Sequence, residues 1–173
     1  MPRRLMPKLP ALLRKLFTFL LPWVGKPDEL TIKQLVERIK VEEGFSPKSF
    51  WDNEQWTWGY GTKAPDGPGL VIDEGDAEGE LEKEIWKAIW DYQTVFTSAP
   101  PGITEAREES LVSMLFNLGI VKFLKFKNMV NCIREGDWKG AARHAKNSLW
   151  YTQVGRRSRR IVKELETGEH QTI

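Results

Sequence analysis

Residues 42–62 read EEGFSPKSFWDNEQWTWGYGT, and the period of the chain changes inside them. Upstream, TIKQLVERIKVEEG (31–44) sets Ile32, Leu35, Val36 and Ile39 at helical spacing, with Thr31 as a candidate N-cap and Gly44 as a stop. The helix therefore ends on Glu42 and Glu43. Phe50-Trp51-Asp52, the polar pair Asn53-Glu54, and Gln55 to Gly61 then read as strand, two-residue turn and strand. In that register Asp52 lies across from Gln55 and Phe50 across from Thr57, and the two-residue period sends all four side chains to one face. Asp52 and Thr57 become neighbours, and Glu43 leaves the helix end toward the same space because Gly44 lets the chain turn sharply. Glu42, beside it, receives no role from this pattern.

The rest of the chain follows from that hairpin. APDGPG (64–69) is a loop, and Leu70-Val71-Ile72 a further short extended run, which gives a small β lobe over about residues 44–73. Beyond Asp73 the pattern is helical. Leu81, Ile85, Ile89 and Tyr92 share a face, while the acids of the same segment crowd its first turns and its solvated side. Pro100-Pro101-Gly102 breaks the chain, Thr104 offers a cap, and Leu111, Val112, Met114, Leu115 and Leu118 form a nearly all-round apolar helix that belongs in the core. Gly119, Gly136 and Gly155 stand where later helices end, and Asp137 caps the helix that carries Trp138. The expected fold class is α+β: a small hairpin lobe beside a larger helical lobe, with a cleft between them.

At 173 residues, 40% hydrophobic and 29% charged, the chain suits one core. Its net charge of +2 conceals an asymmetry. Residues 1–26 hold Arg3, Arg4, Lys8, Arg14, Lys15 and Lys26 without an acid, which leaves the remainder at −4. A net-negative body without a contiguous basic stripe argues against nucleic acid as a partner. Residues 1–27 are read as a basic, apolar N-terminal extension and 28–173 as the main domain. The extension's apolar run, Leu16 to Val24, is interrupted by Pro22 and is too short to span a bilayer. It suits an anionic membrane surface, a partner groove, or packing against its own domain. The single Cys132 precludes an intrachain disulfide and reads as a packed thiol. Two distant histidines, His144 and His170, give a zinc site little to be built from. No metal and no cofactor is expected, and the chain is expected to act as a monomer.

Two carboxyls from different elements facing across a cleft are what hydrolysis of a glycosidic bond requires: one protonates the leaving oxygen, the other handles water or the sugar carbon. Glu43 and Asp52 are the candidates. The alternative reading of each is an ordinary surface acid at the end of an element.

A family resemblance rests on three blocks. Glu43-Gly44, then Asp52, then Thr57-Trp58-Gly59-Tyr60-Gly61 resemble the E-G, D and T-x-G-x-G signature of the phage-type lysozymes, the family of the T-even bacteriophage enzyme and of glycoside hydrolase family 24. SLVSMLFNLG (110–119) is similar to the family's central helix, and NSLWYTQVGRRSRR (147–160) to its W-Y-x-Q-x-x-x-R-x-x-R segment. The blocks occur in the family's order, over roughly residues 30–169. The chain departs from the pattern in having four residues, not five, between Asp52 and Thr57, and in carrying Thr62 where many members have histidine.

The resemblance implies a lysozyme-like fold and an N-acetylmuramidase that hydrolyses the β-1,4 bond between N-acetylmuramic acid and N-acetylglucosamine of bacterial peptidoglycan, with inversion. Glu43 would be the general acid, Asp52 the carboxylate that activates water, and Thr57 the hydroxyl that positions it. Arg157 would pair with Glu43 across the cleft, Asn117 would line the sugar groove, and Gln153 and Trp150 would support the cleft, although helical spacing favours Trp150 and Tyr151 as core residues. An enzyme of this kind is made in the host cytoplasm and acts on the wall as an endolysin. A virion-associated or non-catalytic wall-binding protein, and a glycosidase of chitin-like polymers, are the alternatives.

Overall fold

The computed structural model describes residues 29–52, 55–65 and 67–171. The basic extension, and with it every expectation for residues 1–27, lies outside the described residues, as does the turn pair Asn53-Glu54. The first described helix, α1 (Glu29–Glu43), already runs at Glu29, so Thr31 lies within it and does not cap it. Local cap chemistry singled out Thr31, but helical geometry extends upstream of it. The other end is as expected: α1 stops at Glu43, and Gly44 takes φ +68°, donating its N–H to Lys40 O at 3.0 Å.

Three antiparallel strands follow in the order β1 (Ser46–Asp52), β2 (Gln55–Gly59) and β3 (Thr62–Lys63). Phe50 pairs with Thr57, Trp51 with Trp56 and Asp52 with Gln55, the register that the alternation predicts, while the register shifts between Ser46 and Phe50. The Trp51 and Trp56 rings meet edge to face at 5.7 Å, a cross-strand aromatic pair. β3 was not foreseen: two residues are too few for a visible period. The run Leu70-Val71-Ile72 forms no strand of its own, and only Val71 bridges, to Lys48. It is tied to β1 by Ser49 N–H to Leu70 O (2.8 Å) and Ile72 N–H to Pro47 O (3.0 Å).

The helical lobe comprises α2 (Glu74–Val95), α3 (Glu105–Phe123), α4 (Lys127–Glu135), α5 (Trp138–Lys146), α6 (Leu149–Val154) and α7 (Arg156–Thr167). Side chains mark four of the starts. Asp73 accepts from Asp76 N–H, Thr104 from Arg107 N–H, Asp137 from Gly140 N–H and Ser148 from Tyr151 N–H. The buried face of α2 is Ala77, Leu81, Ile85, Ala88, Ile89 and Tyr92, and α3 supplies Leu111, Met114 and Leu115 to the same core. Gly119 interrupts α3 with non-helical backbone, so the last turn of that helix leaves the direction of the first four. Cys132 is partly buried on α4, and burial pushes its thiol above the ordinary range. No helix among the described residues is long and apolar enough to cross a membrane. The architecture is the expected α+β, lysozyme-like fold with a helical lobe.

The hairpin is fastened to the helices at its exit. Tyr60, buried, donates its hydroxyl to Glu74 Oε1 (2.8 Å), and burial together with this bond raises the phenol's pKa. Its ring packs 5.4 Å from Phe45 and lies under Lys40, whose ammonium also bonds Glu78 of α2. The same lysine thus ties α1, the sheet and α2 together, and the Glu78 bond raises its pKa.

Candidate active site

Glu43 is the last residue of α1, where an acid at the C-terminal end faces the negative pole of the helix. Compensation comes from the far end of the chain: Arg157, on the first turn of α7, donates from Nη2 to Glu43 Oε1 at 2.7 Å. The Glu43 side chain keeps about a quarter of its surface (24%), whereas that of Arg157 is 8% exposed. The carboxylate is therefore gripped from behind and open in front. On its other side runs Gly61, at φ +79°, where a Cβ would lie 3.2 Å from Glu43 Oε2. Glycine is required there twice, for the left-handed backbone and for the space the carboxylate fills.

Asp52 and Thr57 stand on one face of the hairpin, diagonal to each other across the β1–β2 ladder. Asp52 is exposed at the strand end. Thr57 is 2% exposed, and its Oγ1 has no hydrogen-bond partner among the described residues. A buried hydroxyl without a partner is costly. Nothing in the packing of the sheet requires it, since a valine would fill the same space.

On the helical side, Asn117 on α3 accepts from Trp150 Nε1 at 2.9 Å. Trp150 is buried, with its ring edge to face against Phe126 at 6.2 Å, and Tyr151 is partly buried: both pack as the helical spacing indicated. Gln153 is exposed on α6.

Behind Glu43 lies a network that sequence reasoning missed. Glu42, its side chain 7% exposed, places Oε2 2.8 Å from Arg157 Nε, and its Oε1 accepts from Arg160 Nε at 2.8 Å, with Arg160 Nη2 2.7 Å away. The Arg157 Nε contact is one of charge, without hydrogen-bond alignment. Arg160 passes on to Glu164, fully buried, which also takes a hydrogen bond from Ser110. Glu164 Oε1 lies 3.5 Å from Arg38 Nη1, and Arg38 reaches Glu109 Oε2 (3.0 Å) and His170 Nδ1 (3.0 Å). The one available signal was the 3- and 4-residue spacing of Arg157, Arg160 and Glu164 on a helix face.

His170 also lies beside Glu105 and Glu109, with ligand-type atoms within 4.8 Å of one another, a proximity that spacing in sequence did not reveal. Arg38 occupies that grouping. Its Nη2, which can only donate, lies 3.0 Å from His170 Nδ1.

The phage lysozyme family model matches residues 40–165, a span that opens three residues before Glu43 and closes within α7. The chain belongs to the phage lysozyme family. Two relatives from Dictyostelium discoideum, probable T4-type lysozymes 1 and 2, are 37% and 40% identical over 62 residues, which is 36% of this chain and 36% of each relative. The pre-baseplate central spike protein Gp5 of Enterobacteria phage T4 is 32% identical over 66 residues, 38% of this chain and 12% of that protein. The chain thus matches about a third of the length of the Dictyostelium lysozymes. Within the phage lysozyme match lie Glu43, Asp52, Thr57, Asn117, Gln153 and Arg157, together with Glu42, Arg160 and Glu164.

Proposed function

We propose that this phage lysozyme family member is a glycoside hydrolase that cleaves the β-1,4 bond between N-acetylmuramic acid and N-acetylglucosamine in peptidoglycan. The observation that carries this reading is an arginine-held carboxyl, Glu43, open to solvent at the entrance to a hairpin whose Asp52 and Thr57 share one face.

Glu43 protonates the leaving glycosidic oxygen, and Arg157 stabilises the carboxylate that this transfer creates. Asp52 draws a proton from water on the opposite face of the sugar, and the Thr57 hydroxyl, without a partner among the described residues, holds that water. Direct attack by water inverts the anomeric carbon. The chain acts as a monomeric endolysin, made in the host cytoplasm and released onto the wall. Its basic extension adds reversible contact with anionic lipid, at about 1 kcal/mol per basic residue near such a surface.

Incubation with purified peptidoglycan, followed by mass analysis of the new reducing ends, tests the reading. Muramic acid at the new ends supports it; ends carrying only N-acetylglucosamine, or turnover of chitin in preference to wall, overturn it. Proton NMR of the first-formed anomer reads the inversion. Removal of residues 1–26 is expected to leave wall hydrolysis near parental and to reduce binding to anionic liposomes.

A second reading, service in the virion at entry, is favoured by the match to the T4 central spike protein. Wall hydrolysis by purified virions, with the chain detected in them, would select it.

A further inference from the structure

Glu42 and Glu43 are consecutive carboxylates at the C-terminal end of one helix, where the helix field disfavours each of them. Both are met by α7, and by one shared residue. Arg157 gives its Nη2 hydrogen bond to Glu43 and presents Nε to Glu42 at 2.8 Å. The other oxygen of Glu42 accepts from Arg160, which also reaches Glu164 and Ser113, the latter at 3.4 Å, while the contact with Arg157 is direct and does not run through Arg160. The charged groups facing Glu42 are therefore Glu43 on its own helix and Arg157 and Arg160 from α7. Glu164, Arg38, Glu109 and His170 continue the network behind them.

This arrangement addresses a difficulty in the proposed chemistry. A general acid must hold its proton until the substrate is in place, yet a guanidinium 2.7 Å away favours the ionised form. Glu42 takes a share of the same cation, and its own negative charge lies next to Glu43.

We propose that Glu42 is a positioning residue of this enzyme: it aligns Arg157 and compensates its charge, and so sets the pH range in which Glu43 can act as an acid. The proposal rests on the reading of Glu43 as the proton donor. Glu42 touches neither substrate nor water in this scheme and acts only through Arg157.

The test is the pH dependence of kcat/KM on soluble wall fragments for the parent, Glu42→Gln, Glu42→Asp and Arg160→Gln, with melting curves for each. In Glu42→Gln the alkaline limb, which reports loss of the proton from the acid, is expected to move to lower pH by about one unit. Turnover on that side then falls about tenfold, while the acid limb stays in place. Glu42→Asp, which retains the charge, should return the limb most of the way. Arg160→Gln should lower the melting temperature and leave the limb where it is, because Glu42 still faces Arg157.

An alkaline limb unmoved in Glu42→Gln overturns the proposal, as does an equal displacement in Arg160→Gln, which would assign the effect to loosened structure. Should Glu42→Gln fail to fold, the double variant Glu42→Gln/Arg160→Gln, which removes the deserted cation with its partner, carries the same expectation. Glu43→Gln separates the two levels. If that variant is active, the reading of Glu43 as the acid is wrong; if it is inactive and the limb does not move in Glu42→Gln, only the role of Glu42 is.

Discussion

Trp150 donates its indole N–H to Asn117 Oδ1, joining α6 to the end of the apolar stretch of α3 across 2.9 Å. The amide oxygen of Asn117 is thus engaged with a buried ring, and its NH2 group is the part that can meet a sugar. Asn117→Leu leaves the indole N–H unpaired and is expected to cost about 1–3 kcal/mol in chemical denaturation. Asn117→Asp keeps the acceptor and removes the donors. Its stability should stay near parental while KM for wall fragments rises; an unchanged KM would remove Asn117 from the groove.

Arg157→Ala is expected to lower turnover about a hundredfold, because the proposed acid loses the group that orients it and receives its charge. Stability should fall by roughly 2 kcal/mol, since Glu42 retains Arg160 and Glu43 can hydrate. Lysine should rescue poorly: one ammonium cannot serve two carboxylates from a planar fork. Full rescue by lysine would show that charge alone matters at this position.

The Thr57 hydroxyl offers a test in which stability and activity move in opposite directions. Thr57→Val removes a buried oxygen that has no partner among the described residues, so the melting temperature should hold or rise. Hydrolysis should drop about a hundredfold if that oxygen positions the attacking water. Parental activity in Thr57→Val would leave the hydroxyl without a role.

Gly61→Ala forces a left-handed backbone on a residue with a side chain and sets a methyl 3.2 Å from Glu43 Oε2. A stability loss of about 1 kcal/mol is expected from the backbone. Activity should fall further than that loss explains, since the carboxylate must shift to admit the methyl. Activity measured at a temperature where both proteins are fully folded distinguishes the two.

Glu108 gives the pH dependence of stability. Burial raises its carboxyl pKa above the ordinary 4.5, and neighbouring Glu109 and Glu105 add to the rise. The native state therefore holds this proton more tightly than the unfolded chain, a stabilisation present in acid and lost as the pH climbs through the native value. Glu108→Gln is expected to melt higher than the parent at pH 7, with the difference shrinking toward pH 4. A difference that grows in acid would reverse the assignment.

The hairpin could be read from the sequence to the residue because alternation is a local signal, and Asn53-Glu54 fixed which residues face each other. The same locality explains the end of α1 at Gly44 and the caps at Thr104 and Asp137. Thr31 misled because a residue able to cap does not have to, and helices also start without a side-chain cap, as at Phe126 and Gly155. Leu70 to Ile72 runs extended beside β1 as read, its pairing limited to the one bridge at Val71. Resemblance to a family brought Arg157 to Glu43, whereas spacing alone never could have. Glu42, Arg160, Glu164, Arg38 and His170 were silent, since their meaning arises only when helices distant in the chain are packed together.

The bond between Glu43 and Arg157 spans 114 positions of the chain. Closing so long a loop carries an entropic cost that must be met by contacts formed earlier, which makes this pair a late event in folding. During translation the hairpin and α1 emerge well before α7, so the nascent chain carries its carboxyl ungripped until α7 has left the ribosome. Under the proposed function, competence would then appear at once, with the docking of α7, and chains that end before it would be inert.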